Sequence, residues 1–572
     1  ADAMMTVMHA ISAPAPPSLL PLRRRWVAAL AAVTLFLGGC AELPAQVERP
    51  VSKAWAAPEG TPLGGMVQGL GRSASTGNAS GFLLLSGAQE AYSARLALIA
   101  SAQKTLDLQY YAIHADTSSG KLLRAVRAAA GRGVRVRILL DDFHSTGRNA
   151  VVMRMAFEPN VEMRMFNPLA GSRDSFIGRM LNALDDAKTL QQRMHNKLFI
   201  ADNAMGVTGG RNLGDAYFGA GTDANFVDLD VLAAGAIVKD LSRSFDDYWN
   251  NERAYPVQSL VTREELDKIR EQARRARAEE DEAAKTKPSP PEDAPMDLRK
   301  ARFVWAPAVV LVDKPGKIPL NPDGKRGSTT EPANPGLVVR GGGSARPPLV
   351  TDDDSVVDGL LSLFDRARTE INIVSPYFVP GNDMKQALAA ATARGVKVRV
   401  LTNSLGSNDA VAAHAGYARH REELLNMGVA LYEMRSDREA AGGSGLDASG
   451  MLGSSGGASL GGASKAMLHS KLLTIDGRLI VIGSMNLDLR SQLQNTEIAL
   501  LIRSDELSRI ANQQNEEGFR TGAWRVERHD GQLVWRAPAG SGLEDTTTEP
   551  QTTLSQRLMI RLIGPLAPDR LL

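Results

Sequence analysis

Two short stretches of this chain carry the same set of reactive groups at the same spacing. The first reads His195-Asn196-Lys197-Leu198-Phe199-Ile200-Ala201-Asp202 and is followed by Gly209-Gly210-Arg211-Asn212. The second reads His469-Ser470-Lys471-Leu472-Leu473-Thr474-Ile475-Asp476 and is followed by Gly483-Ser484-Met485-Asn486. Histidine and asparagine are 17 positions apart in each (212 − 195 and 486 − 469). An imidazole, with an unperturbed pKa near 6.5, serves as nucleophile or proton carrier close to neutrality. Lysine and asparagine hold phosphate oxygens, and glycines let backbone approach an anion closely. The combination reads as a phosphodiester-cleaving site present in two copies.

The elements that must position these groups follow from the same spacing. His and Lys two apart on an apolar strand share one face. Asp476-Gly477 is a hairpin signal, Asp202-Asn203 holds the matching place, and a strand over Leu479–Ile482 returns Asn486 to His469. Upstream of each motif the chain repeats itself. Helices are expected over Ala88–Ser101 and Lys121–Gly131, with strands at Leu106–Tyr110 and Val134–Leu140. The second series has helices over Ser355–Arg368 and Met384–Arg394, with strands at Ile371–Val374 and Val396–Leu401. Arg132-Gly133-Val134-Arg135-Val136-Arg137 and Arg394-Gly395-Val396-Lys397-Val398-Arg399 are nearly the same words, a helix stop followed by an alternating strand. The fold class is therefore α/β, built by internal duplication.

The 572 residues are too many for one core. Arg23-Arg24-Arg25 precede an apolar run, Trp26–Leu37, that is shorter than the about 20 residues a membrane span needs. That pattern reads as a secretory signal. It ends in Leu37-Gly38-Gly39-Cys40, similar to the bacterial lipoprotein processing box, and Cys40 is the single cysteine, so no internal disulfide is available. The expected organisation is a signal peptide over 1–39, a lipidated tether over 40–77 and a first domain over 78–261. A charged helix and flexible linker over 262–350, a second domain over 351–540 and a C-terminal tail over 541–572 complete it. The expected location is the bacterial cell envelope, lipid-anchored through Cys40 and facing the periplasm. With 66 basic against 64 acidic residues, the net charge of +2 provides no global basic field, and no nucleic-acid partner is expected.

The doubled motif resembles the phospholipase D superfamily over nearly the whole chain after the tether. The resemblance implies two α/β/α domains packed about a pseudo-two-fold axis with the active site between them. It implies that one histidine attacks phosphorus to form a phosphohistidine, while the other protonates the leaving alcohol and later deprotonates the incoming water or alcohol. Neither metal nor other cofactor is implied. His195, Lys197, Asp202, His469, Lys471 and Asp476 are then the catalytic set, although the two aspartates sit where hairpin turns are expected and suit a structural role. Asn212, Asn486 and Ser484 would bind phosphate. Asp228, in Phe226-Val227-Asp228-Leu229-Asp230, and Glu497, in Asn495-Thr496-Glu497, match the carboxylates that orient the histidine rings. Family habit favours His195 as the nucleophile.

Within the superfamily the chain resembles bacterial cardiolipin synthases of the C type. Arg193-Met194-His195-Asn196-Lys197, Gly209 to Phe218, Phe226 to Val231, Ser375-Pro376-Tyr377-Phe378-Val379-Pro380-Gly381, Thr402-Asn403-Ser404 and His414-Ala415-Gly416-Tyr417 carry the likeness. Gly210 stands where many relatives have serine. The implied reaction moves a phosphatidyl group to phosphatidylglycerol, with phosphatidylglycerol or phosphatidylethanolamine as donor and a membrane surface as the setting. No protein partner is indicated. A hydrolytic phospholipase D shares every catalytic residue, and a nuclease of the superfamily is disfavoured by the charge balance. His114, His144, His414 and His420 have no partner pattern and read as structural or exposed. Leu554–Leu572 fits an interfacial helix or a helix packed on the body equally well.

Overall fold

The computed structural model describes residues 43–44, 46–73, 79–145, 147–169, 191–268, most of 270–278, 293–318, 336–341, 354–436 and 465–563. The signal segment, Cys40 and residues 564–572 of the C-terminal stretch lie outside the described residues.

The duplication expected from the repeated words is present as two mixed sheets of matching topology. The first has nine strands, in spatial order Val304–Ala306, Ser80–Leu85, Asp230–Ala234, Met205–Gly209, Leu198–Ala201, Thr105–Tyr110, Arg135–Asp141, Val161–Phe166 and Ala254–Pro256. The second has ten: Leu337–Arg340, Ala308–Asp313, Ile498–Arg503, Leu479–Gly483, Leu472–Ile475, Glu370–Val374, Lys397–Asn403, Ala430–Met434, Ala523–His529 and Gln532–Arg536. In both, the motif hairpin lies antiparallel beside three parallel strands: Leu198 pairs with Thr208, and Leu472 with Ile482. The helix expected over Ala88–Ser101 has those bounds, and the second domain's first helix, Val356–Phe364, begins in a capping box made by Ser355 and Asp358.

One apolar core joins the two sheets. Phe82, Leu198, Ile200 and Val231 from the first meet Val310, Leu472, Ile480 and Leu500 from the second, together with the helices Ala236–Trp249 and Asp505–Thr521. At roughly 1.5–3 kcal/mol for each large aliphatic side chain buried, this shared layer holds the halves in fixed register. Each half also packs its own outer core, so every sheet is covered on both faces.

Three expectations need correction. The segment taken as a tether docks onto the first domain along much of its length. Arg164 donates to the Pro50 carbonyl at 2.6 Å, Arg137 to Ser52 at 3.0 Å and Arg135 to Lys53 at 2.6 Å, and Leu63 in the helix Pro62–Ser73 is fully buried. The basic positions of the alternating strands need acceptors, and this segment's carbonyls supply them. The linker assigned to 262–350 contributes strands to both sheets. Val304–Ala306 pairs with Ser80–Leu85 in the first, and after Pro307 the apolar run Ala308–Asp313 pairs with Ile498–Arg503 in the second. Proline, lacking the N–H, suits the point where the chain changes sheet. The tail is anchored as well: Glu549 accepts from Arg421 at 2.5 Å, and Thr546 pairs with Trp535.

Candidate active site

Each motif histidine stands just before the first strand of its hairpin, on a segment held by the opposite domain. The His195 backbone N–H donates to Thr496 at 2.9 Å, and the His469 N–H donates to Val227 at 2.8 Å. Those two acceptors immediately precede Glu497 and Asp228. The side chains cross in the same way. His195 Nδ1 lies 3.0 Å from Glu497, and His469 Nδ1 lies 2.5 Å from Asp228. The sequence indicated an orienting carboxylate for each ring; the structure shows that each comes from the other half. Neither half can orient its own histidine. With Nδ1 occupied, both rings present Nε2 to one cleft of about 860 Å³, which His195 and His469 line together with Asn212 and Asn486.

The remaining motif residues divide between cleft and support. The ammonium groups of Lys197 and Lys471 donate to the backbone carbonyls of His195 at 2.7 Å and His469 at 2.6 Å. Asn212 bridges the Ala112 N–H and the Tyr217 hydroxyl, while the Asn486 side-chain oxygen is buried with no hydrogen-bond partner among the described residues. Ser484 does not bind the cleft: it is fully buried, and its hydroxyl donates to Glu497 while accepting from the Ile498 N–H at 3.0 Å. Its expected role on phosphate is therefore replaced by a role behind the carboxylate. Asp202 and Asp476 leave the catalytic set. Both sit at the far turn of their hairpins with φ of 52° and 53°. Asp202 accepts from the N–H groups of Gln103, Lys104 and Thr105, and Asp476 from those of Arg368, Thr369 and Glu370. They pin the motif hairpin to the neighbouring strand.

Burial sets the electrostatics. Desolvation, with Lys197, Lys471 and His469 nearby, holds His195 well below its ordinary pKa. His469 is lowered by burial and by Lys471, but Asp228 opposes that shift. Burial pushes Lys197 down to about 7 and lowers Lys471 as well. The two carboxylates diverge. Burial raises Glu497 to about 7 against the pull of Lys197 and two serine hydroxyls. Asp228 is equally buried, yet the His469 ring, Lys471 and Arg211 outweigh burial and hold it below the usual carboxylate range.

Several supporting residues left no readable signal. Asp313, at the end of the strand taken for linker, accepts the Glu497 N–H at 2.9 Å and the Lys317 ammonium at 2.8 Å. Arg211 fastens the first half-site by donating to the carbonyls of Leu85, Ser86 and Asp228. Tyr111 presents its ring to His195 at 5.1 Å and Tyr217 to His469 at 5.3 Å, both edge-on. His114 and His144, read as structural or exposed, line the cleft beside Tyr111 and Tyr217. His414 is buried against Arg421 at 3.0 Å, a structural position, and His420 faces Glu423 at 3.6 Å. Among the described residues, no group of three or more His, Cys, Asp and Glu is arranged to hold a metal ion.

Two imidazoles, each backed by a carboxylate and a lysine and facing one cleft across a duplicated α/β fold, define a site for phosphodiester exchange. The family model described as cardiolipin synthase, PLD-like domain, matches residues 96–249 and 360–518. The chain is 35% identical over 487 residues to cardiolipin synthase C of Escherichia coli (strain K12), covering 84% of this chain and 94% of that protein. It is 22% identical over 484 residues to cardiolipin synthase 1 of Bacillus anthracis, covering 84% and 72%. The crystal structure of phosphatidylserine synthase from Haemophilus influenzae Rd KW20 shares the fold, with a TM-score of 0.50 at 14% identity, covering 89% of this chain and all of that one. The chain belongs to the cardiolipin synthase family of phospholipase D-like enzymes, and it is a phospholipase D-type phosphatidyltransferase.

Proposed function

We propose that this enzyme transfers a phosphatidyl group to phosphatidylglycerol, forming cardiolipin through a phosphohistidine on His195. The observation that carries the mechanism is the crossed pairing of His195 with Glu497 and His469 with Asp228 around one cleft. His195, kept neutral by burial and two lysines, offers its Nε2 lone pair to phosphorus. The P–O bond to the leaving alcohol breaks as the P–N bond forms, and His469 gives its Nε2 proton to the departing oxygen. Asp228, held ionised, suits that imidazolium. An anionic phosphate entering the cleft favours the protonated ring further. In the second step the acceptor hydroxyl passes its proton back to His469, its oxygen attacks phosphorus, and the P–N bond breaks. Lys197, Lys471 and the side-chain amide N–H of Asn486 would hold the phosphate oxygens.

A membrane surface is the proposed setting, reached through a lipid on Cys40 in the bacterial envelope on its periplasmic face. The C-terminal helix Leu554–Ile563 supports it. Leu554, Leu558, Met559 and Leu562 are 76%, 56%, 40% and 64% exposed, with Arg557 and Arg561 between them. Such a face suits an anionic lipid surface, and the helix packs on Val411–Ala418, whose Ala412 and Ala413 line the cleft. No described helix is long and apolar enough to cross a membrane.

The test is the lipid product made by the purified enzyme on phosphatidylglycerol vesicles, with and without phosphatidylethanolamine. Cardiolipin is expected, lost in His195→Asn and His469→Asn, with labelled phosphatidyl trapped on His195 in the His469 variant. Leu558→Asp with Leu562→Asp should weaken vesicle binding. Phosphatidic acid as sole product would sink the transfer reading, DNA cleavage without lipid turnover would favour a nuclease, and label on His469 would reverse the assignment of roles.

A further inference from the structure

Transfer between lipids brings two phosphates to one cleft. The catalytic histidines hold the one being exchanged. When phosphatidylglycerol is the acceptor, its own phosphodiester lies a glycerol away from the attacking hydroxyl, and it carries a full negative charge that water or a simple alcohol lacks.

Among the described residues that line the cleft, one lysine or arginine lies outside the two motifs. Arg490 lies four residues after Asn486, in the short helix Leu489–Leu493, and lines the cleft. Its Nε is buried and has no hydrogen-bond partner, and its guanidinium forms no ion pair with any described residue. A partly buried guanidinium without an anion is costly, and a planar fork matches phosphate oxygens in pairs. Asp488, two residues before it, is attracted to Arg490 through space but forms no ion pair with it, and its carboxylate accepts from the Ser491 N–H at 2.7 Å.

The duplication sharpens the point. The residue four after Asn212, in the matching place of the first half, is Ala216, which also lines the cleft. The motif groups are doubled, but this cation is not. It marks one side of a pseudo-symmetric site as different from the other, as a reaction between a donor and a distinct acceptor requires.

We propose that Arg490 binds the phosphate of the acceptor phosphatidylglycerol and so directs the phosphohistidine to a lipid alcohol instead of to water or a small neutral alcohol. This rests on the transfer reading above. The acceptor hydroxyl still gives its proton to His469 and its oxygen to phosphorus; Arg490 touches only the second phosphate.

The experiment is a partition. Phosphatidylglycerol vesicles containing ethanol let a single phosphoenzyme form cardiolipin, phosphatidylethanol or phosphatidic acid, so the ratio of products does not depend on the donor step. Arg490→Gln should lower the ratio of cardiolipin to phosphatidylethanol by roughly ten- to a hundredfold, the effect of one charge-assisted hydrogen-bonding group. Arg490→Lys, which keeps the charge and loses the fork, should fall between the two. An unchanged ratio in Arg490→Gln overturns the assignment. If that variant makes no product at all, the Arg490→Lys ratio decides: a wild-type value overturns the proposal and a lowered one supports it. A wild-type enzyme that makes phosphatidylethanol but no cardiolipin fails the transfer reading itself, a separate outcome.

Discussion

The two half-sites share a motif but are built differently behind it. Behind His469 stands Asp228, a short carboxylate pressed against Gly210, where an added Cβ would lie 2.1 Å from its Oδ1. Behind His195 stands Glu497, one methylene longer, held by the hydroxyls of Ser484 and Ser491. The exchange of serine for glycine and of glutamate for aspartate is thus a matched pair: where the backbone offers no hydroxyl, the carboxylate moves in. The chemistry diverges with the packing. Asp228 stays ionised below the usual carboxylate range, whereas burial lifts Glu497 to about 7. A carboxylate that stays charged suits the ring proposed to carry a proton, while Glu497, poised near neutrality, makes the tautomer of the other ring depend on pH.

The largest expected effect tests that division directly. Asp228→Asn and Glu497→Gln should each cut kcat by roughly 10³- to 10⁴-fold, since an amide cannot hold the imidazole in the reactive tautomer. They should differ in their response to the leaving group. With a nitrophenyl phosphodiester, whose leaving oxygen needs no proton, Asp228→Asn should recover most of its loss and Glu497→Gln should not. Equal recovery in both would place the two histidines in interchangeable roles.

A smaller effect probes the matched packing. Gly210→Ala puts a methyl group where the Asp228 carboxylate sits, and a displacement of that size at an orienting group is worth roughly a hundredfold in rate. Ser484→Gly should cost far less, because Glu497 keeps its hydrogen bond from Ser491. Similar losses in the two variants, measured as kcat on the same vesicles at equal melting temperature, would deny that the half-sites are packed differently.

The motif chemistry and the duplication were legible in the sequence because they rest on local patterns: a two-residue period, a hairpin signal and a repeated helix stop. The motif histidines and lysines were readable for that reason, whereas Asp228 and Glu497 came only from the resemblance to phospholipase D proteins. The crossing was not, because Thr496 and Val227 find their partners some 300 and 240 positions away, and no local pattern encodes that distance. Asp313 was hidden by its neighbourhood, a strand embedded between a charged helix and a Gly/Pro-rich stretch. The docked segment around Ser52 was mistaken for a tether because its role is carried by backbone carbonyls, which composition does not report. Ser484 was misplaced because a serine beside a phosphate-type glycine looks the same whether its hydroxyl faces the ligand or the carboxylate behind it.

That serine provides the finest test of the comparison. Its hydroxyl donates to Glu497 and so favours the charged form. Glu497 must be ionised to accept the His195 Nδ1–H, and activity should therefore fall as pH drops through its pKa of about 7. In Ser484→Ala the stabilising hydrogen bond is gone and the protonated form gains, so the acid limb of kcat/KM should move upward by roughly half to one pH unit, the equivalent of about 1 kcal/mol. The loss should be severalfold near pH 6 and nearly absent near pH 9, where Glu497 is ionised in both proteins. Asp228 has no such hydroxyl and titrates below the working range, so no substitution at Gly210 should shift that limb. A limb that stays in place in Ser484→Ala, or one that moves with Asp228 variants instead, would mean that the histidine facing Glu497 is not the one whose neutrality the reaction needs.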